Sequence, residues 1–84
     1  MDHFKEVFNT VYGPLRFYFN SDNDGEHKNF HVSVIDKRSK AFMFFMQKEG
    51  PRWIIAPQSS VPIWISDIEE KLGECIKIYL MQRS

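Results

Sequence analysis

The sequence predicts an α+β fold, with a four-stranded antiparallel meander that has one helix before it and one after it (α-β-β-β-β-α). Two observations support this prediction. Apolar residues recur at helical spacing near both ends of the chain, and they alternate with polar residues through its middle. Short turn-like segments separate the alternating runs, so neighbouring strands should pair antiparallel and the helices should pack on them as a two-layer sandwich.

The first predicted element is a helix over residues 2–12. Its apolar residues recur at three- and four-residue spacing, at Phe4, Val7, Phe8 and Val11. Asp2 is a suitable N-cap residue, while Gly13 and Pro14 are typical of the end of a helix.

The four predicted strands come next. They cover residues 15–19, 30–34, 40–48 and 52–56. The first two alternate apolar and polar side chains, as expected for strands with one buried face. A polar loop over 20–28 and turns at 36–39 and 49–51 link the strands.

The third strand is apolar on both faces between Ala41 and Met46, and its register is open. A two- or four-residue turn before it would place Ala41, Met43 and Phe45 in the core. A three-residue turn would instead place Phe42, Phe44 and Met46 there. In both registers large apolar side chains remain on the other face, where a helix, a second copy or a bound partner must cover them.

The last predicted element is a helix over residues 66–81, with 61–65 either helical or an irregular lead-in. The run from Ser66 to Glu69 has the pattern of a capping box. An apolar stripe is formed by Ile65, Ile68, Leu72, Ile76 and Tyr79, and the residues expected to face water are Glu69, Glu70, Glu74 and Lys77. Gly73 lowers helix propensity, which close packing against the sheet would explain.

Composition narrows the classes of function. We expect one domain over residues 1–84, with 43% hydrophobic residues to form its core. The single cysteine, Cys75, cannot form an internal disulfide, and no zinc-ligand spacing is present. The polar N-terminal run is unlike a signal peptide and no apolar run approaches the roughly 20 residues that span a bilayer, so a cytoplasmic protein without membrane contact is expected.

The first half of the 20–31 segment resembles the calcium-binding loop of an EF-hand. The matching residues are Asn20, Asp22, Asp24 and Gly25. The twelfth position of that loop should be a bidentate glutamate, but here it is His31, and Lys28 adds a positive charge. The flanks are predicted to be strands rather than helices. We therefore expect a hairpin loop and no metal site.

The second half, from Gly25 to Val34, resembles the loop and second strand of double-stranded-RNA-binding domains. That family also has the order helix, meander, helix, and His27 would match its minor-groove histidine. The family's lysine cluster at the start of the last helix is missing, because residues 60–67 contain no Lys or Arg. The resemblance implies an alternative function: a nucleic-acid-binding module that uses the 25–31 loop and the basic 37–40 turn.

Catalytic residues are not evident in the sequence. Cys75 borders the apolar stripe of the last helix, which favours an inert buried thiol over a nucleophile. The four glycines are scattered and form no phosphate-binding loop. The 11 basic and 11 acidic residues give zero formal charge, which makes nucleic acid an unlikely partner and favours self-association. We therefore expect neither an enzyme nor a cofactor.

The leading expectation is a small non-catalytic interaction domain that uses an apolar sheet face, as a homodimer or as an adaptor for another protein. A polar frame should surround the outward side chains of the third strand, which are either Phe42 and Phe44 or Met43 and Phe45. The candidate binding residues are Arg16, Tyr18, His31, Phe42, Phe44 and Arg52.

Overall fold

The computed structural model describes residues 3–21 and 29–82, and it has the predicted α+β class. Its elements are β1 (His3–Thr10), β2 (Gly13–Ser21), β3 (Asn29–Ile35), β4 (Ala41–Glu49), β5 (Arg52–Ile55), α1 (Ile63–Ser66) and α2 (Glu69–Gln82). The strands form one sheet in chain order, and each is antiparallel to the next. The sheet is therefore a five-stranded meander.

The predicted N-terminal helix and the count of four strands are wrong, because residues 3–10 form β1. Its side chains alternate between the faces of the sheet, so Phe4 and Phe8 lie opposite Phe19 and Leu15. Over eight residues the spacing of Phe4 and Phe8 suits a strand as well as a helix. Pairing with β2 places both rings beside the core, and this tertiary contact overrides the helical pattern.

Gly13 ends no helix; it shapes the β1–β2 hairpin. Val11 and Tyr12 link the strands, and Gly13 follows with φ of 91°, which glycine adopts without steric cost. The Thr10 hydroxyl donates to the Gly13 carbonyl at 2.8 Å and accepts from the Tyr12 N–H at 3.0 Å. These bonds close the two-residue connection.

The turn before β4 decides its register. The Asp36 N–H donates to the Lys40 carbonyl at 2.9 Å, which leaves a three-residue loop whose last residue, Ser39, has φ of 66°. The Asp36 carboxylate accepts from the N–H groups of Arg38 and Lys40, both at 2.9 Å. The three-residue alternative therefore holds, and the side chains directed to the core are those of Phe42, Phe44 and Met46.

The core lies between one face of the sheet and the C-terminal helices. We call this the inner face, and its buried strand residues are Leu15, Phe17, Phe19, Phe30, Val32, Val34, Phe44, Met46 and Trp53. The helical side contributes Trp64, Ile65, Ile68, Leu72 and Ile76, which include four of the five residues of the predicted stripe. The fifth, Tyr79, is half-buried and stacks on Phe4 at a centroid distance of 4.1 Å.

Helix α2 contacts both edge strands of the sheet. A Cβ on Gly73 would lie 2.5 Å from the Trp53 carbonyl oxygen on β5, so only glycine allows this approach. On the other side Tyr79 reaches Phe4 on β1. A flat five-stranded sheet would span about 19 Å between its outer strands, wider than a helix, so the sheet curls around α2.

The helix predicted over 66–81 begins later, at Glu69, and the lead-in left open over 61–65 is helical from Ile63, as α1. Residues 67–68 form a turn between α1 and α2, and the capping box does not form. The Ser66 hydroxyl donates within α1 to the Ile63 carbonyl at 3.0 Å. The Glu69 carboxylate instead accepts from the Ile55 N–H of β5 at 2.7 Å, so this residue ties α2 to the sheet rather than facing water. In the described residues no helix is both long and apolar enough to span a membrane.

Candidate functional site

The sheet face opposite α2, here called the outer face, exposes a group of large apolar side chains. We define the outer patch as Tyr18, Ile35, Met43 and Phe45. Their exposed fractions are 42%, 58%, 72% and 44%, respectively. Because β-strand side chains alternate, these residues point away from the core that their neighbours form.

The outer patch extends across three neighbouring strands. Ser33 on β3 lies directly between Tyr18 on β2 and Met43 on β4. Phe45 is two residues from Met43 on the same face, and its ring meets His31 edge-on at a centroid distance of 4.5 Å. Ile35 extends the patch beside Ala41.

Cationic side chains border the outer patch. Lys5 on β1 lies opposite Tyr18, and Arg16 is two residues before Tyr18 on β2, so both share its face. The exposed residues Lys37 and Arg38 follow Ile35 in the β3–β4 turn, whereas the Lys40 ammonium lies 5.2 Å from the centroid of the inner-face Phe42 ring. Helix α2, on the other side of the sheet, carries Glu69, Glu70 and Glu74 together with Lys71 and Lys77. Among the described residues, the border of the outer patch along β1 and β2 is therefore basic.

The predicted polar residues of the site are exposed on the outer face, although not all of them lie together. Tyr18 and His31 belong to or touch the outer patch, and Arg16 borders it. Arg52 lies on β5 opposite Glu49, at the far end of the sheet.

Phe42 and Phe44, included among the predicted contacts, lie on the inner face instead. Phe44 is only 3% exposed, and the half-buried Phe42 ring packs edge-on against Trp64 at 5.6 Å. The three-residue turn gives the outward positions to Met43 and Phe45. Neither phenylalanine can therefore form part of a surface contact on the outer face.

Three outer-face residues were absent from the sequence-based site. Lys5 and Val7 were missed because β1 was predicted to be a helix, and Ile35 because it lies beside the turn whose length was open. The run from Phe4 to Phe8 does not alternate strictly, so the signal that could have identified β1 as a strand is the Thr10–Gly13 turn directly before the next strand.

The calcium-loop and RNA-loop hypotheses depend on residues 22–28, including His27 and Lys28, and these lie outside the described residues. The basic turn at 37–40 is described and exposed. Within residues 3–21 and 29–82, no three His, Cys, Asp or Glu side chains come together in an arrangement suited to a metal ion.

Cys75 is half-buried on α2 and is a poor nucleophile. Burial, and secondarily the negative charge of Glu6 on β1, raise the pKa of its thiol from 9.0 to about 11. The thiolate is the reactive form of cysteine. Cys75 is therefore almost entirely protonated near neutral pH.

Comparison of the chain with protein-family models, with curated proteins and with solved structures found no match. The candidate site is therefore defined by its own geometry and charge.

Proposed function

We propose that this protein is a small non-catalytic interaction domain that binds another protein through the outer patch. The supporting observation is the group of exposed side chains that Tyr18, Ile35, Met43 and Phe45 present on one face of the sheet. Methionine and aromatic residues are enriched in protein interfaces, and methionine adapts its shape to different partners. Burial of a side chain such as Phe or Met is worth about 1.5–3 kcal/mol, so covering the patch would contribute substantially to the free energy of binding.

The charges at the border indicate the chemistry of the partner. Lys5 and Arg16 would meet the margin of whatever covers the outer patch. Complementary charges increase association rates and discriminate against wrong partners. The best fit is a protein surface with an apolar centre and carboxylates at its margin.

A second copy bound face to face fits less well. It would bring the Lys5 and Arg16 side chains of both copies into one interface, and like charges in an interface are unfavourable. We therefore propose an adaptor that binds a different protein. The homodimer expected from composition is kept as an alternative that the experiment below can detect.

Site-specific photo-crosslinking in cells tests this proposal. A photoreactive amino acid replaces Tyr18 on the outer face or, as a control, the exposed residue Lys77 on α2. The position-18 probe should give a covalent adduct with a distinct protein that the position-77 probe does not give. Adding Met43→Asp should reduce the adduct at least about tenfold, because it places a charge in the centre of the apolar contact.

Three results would contradict the proposal. Equal adduct yields from both probes would show contact without a preferred surface. An adduct between two copies, with a dimer in sedimentation that Met43→Asp dissociates, would identify a second copy as the occupant. Binding of duplex RNA that requires Arg16 and weakens steeply with salt would identify the nucleic-acid alternative.

A further inference from the structure

A second surface lies between β1 and α2, on the other side of the sheet from the outer patch. It is an open groove of about 790 Å³. Five consecutive residues, Phe4 to Phe8, line it on β1, although only alternate side chains of a strand can point toward α2. The groove therefore reaches the backbone edge of β1. On α2 its wall includes Glu74, Cys75 and Ile78.

β1 is an edge strand. Which of the backbone groups of β1 point outward follows from the hydrogen-bond pattern of the sheet, and this pattern can be read from β4. Phe45 donates its N–H to the Ser59 hydroxyl at 3.1 Å, and its carbonyl accepts from Ala56 N–H at 2.8 Å. Both groups therefore point toward β5 rather than toward His31 on β3. In antiparallel sheets hydrogen-bonded and non-hydrogen-bonded pairs alternate.

This alternation extends across the sheet to β1, because the registers are continuous. The backbone groups of His31 point away from Phe45 and toward β2, where they bond to Asn20. The backbone groups of Asn20 therefore point toward β3, and the pair that Asn20 forms with His3 on β1 is not hydrogen-bonded. The residues of β1 in the same phase are His3, Lys5, Val7 and Asn9. Their N–H and carbonyl groups point to the outer edge of β1, where they form no backbone hydrogen bond with any other described residue.

We propose that an extended peptide segment of a partner protein pairs with β1 as a sixth strand and lays alternate side chains in the groove. Strand addition of this kind obtains affinity from main-chain hydrogen bonds and specificity from pockets for every second residue. The free groups of Lys5 and Val7 provide the main-chain contacts.

The side chains of the groove specify the peptide. Phe4 and Phe8 are half-buried and offer apolar contacts on either side of Glu6, each two residues away from it. Glu70 and Glu74 add two carboxylates from α2, whose one cation at the groove is Lys71, while the Lys5 side chain of β1 belongs to the outer face. The expected segment therefore has apolar, basic and apolar residues at three successive inward positions.

A random heptapeptide library displayed on phage, selected against the purified protein, tests this inference. Enriched peptides should have the apolar–basic–apolar pattern at alternate positions. Their affinity should fall at least about tenfold with Val7→Pro, which removes one edge N–H and is compatible with an edge strand. Val7→Thr, which keeps the N–H and the strand propensity, should leave the affinity nearly unchanged.

Two further measurements keep the test decisive if Val7→Pro does not fold. A bound peptide should slow the alkylation of Cys75, the only thiol of the chain, severalfold. N-methylation of the peptide at alternate amides should abolish binding for one set of positions and spare it for the other, since only one set faces β1.

The inference is overturned if no peptide is enriched, if both N-methylated sets bind equally, or if Met43→Asp rather than Val7→Pro removes binding. It is also overturned if sedimentation shows a dimer that Val7→Pro dissociates, because the edge of β1 would then belong to a second copy. The outer-patch proposal is tested by separate variants, so either one can fail alone.

Discussion

Phe44 and Phe45 are the same residue type at consecutive positions of β4, yet they have opposite environments. Phe44 is 3% exposed in the core, whereas Phe45 is 44% exposed beside His31 on the outer face. The sequence of the strand does not distinguish them, because apolar side chains occupy both faces. The difference comes from the turn formed by Asp36 and Lys40, which selects the register. The inner face therefore provides stability, and the outer face is available for binding.

The largest expected effect comes from truncating these two residues in turn. Phe44→Ala should lower the free energy of unfolding by about 3–5 kcal/mol, because it leaves a cavity in the core. Phe45→Ala should lower it by about 1 kcal/mol or less, since much of its ring is already in water. Chemical denaturation of both variants measures the difference. Equal losses would mean that β4 has another register.

The second prediction concerns how closely the inner face packs. Gly73→Ala raises helix propensity, but its Cβ would contact the Trp53 carbonyl at 2.5 Å. We expect a net destabilisation of about 1–3 kcal/mol in thermal or chemical unfolding, from overpacking. Lys77→Ala, at an exposed position of α2, is the matched control and should change stability by about 0.5 kcal/mol or less. Stabilisation by Gly73→Ala would show that α2 lies farther from β5.

The third prediction compares two adjacent glutamates of α2. Glu69→Ala leaves the Ile55 N–H without its acceptor and should cost about 1–2 kcal/mol of unfolding free energy. Glu70→Ala removes an exposed carboxylate from the same helical turn and should cost about 0.5 kcal/mol or less. Denaturant titrations of the two variants measure both losses of unfolding free energy. Similar values would place Glu69 in water, as the sequence had indicated.

The fourth prediction compares thiols at the two faces. The alkylation rate of Cys75 should reach half its maximum near the raised pKa of about 11, whereas a cysteine from Met43→Cys in a Cys75→Ser background should titrate near the ordinary pKa of about 9.0. The raised pKa means that the folded state keeps its proton after the unfolded state has lost it. This contribution to stability is full below pH 9 and declines as the pH rises toward 11. Coincident titration curves would contradict the difference in environment.

Much of the fold could be predicted because period-two alternation and the apolar stripe of α2 report directly on burial. The strands containing Phe17, Phe19, Val32 and Val34, and the stripe through Leu72 and Ile76, were identified in this way. β1 could not be, since Phe4 and Phe8 satisfy both periods and only pairing with β2 decides between them. Directly after the α1–α2 break, Glu69 bonds to Ile55, a contact distant in sequence that the local capping-box pattern does not indicate.

The candidate site was predictable only where local alternation of apolar and polar residues indicates which face a side chain occupies. Arg16, Tyr18 and His31 follow from clear alternation in β2 and β3. The choice of Met43 and Phe45 over Phe42 and Phe44 required the turn geometry around Ser39, which no residue pattern in the turn specifies. The groove beside β1 could not be foreseen once that segment was taken as a helix.

The central claim is that the outer patch serves binding and contributes little to stability, and Met43→Asp tests it most directly when both properties are measured on one variant. Met43 is 72% exposed, so the midpoint of thermal unfolding should stay within about 2–4 °C of the original value. The photo-crosslinked adduct from position 18 should fall at least about tenfold in the same variant. An unfolded variant, or an undiminished adduct, would contradict the claim.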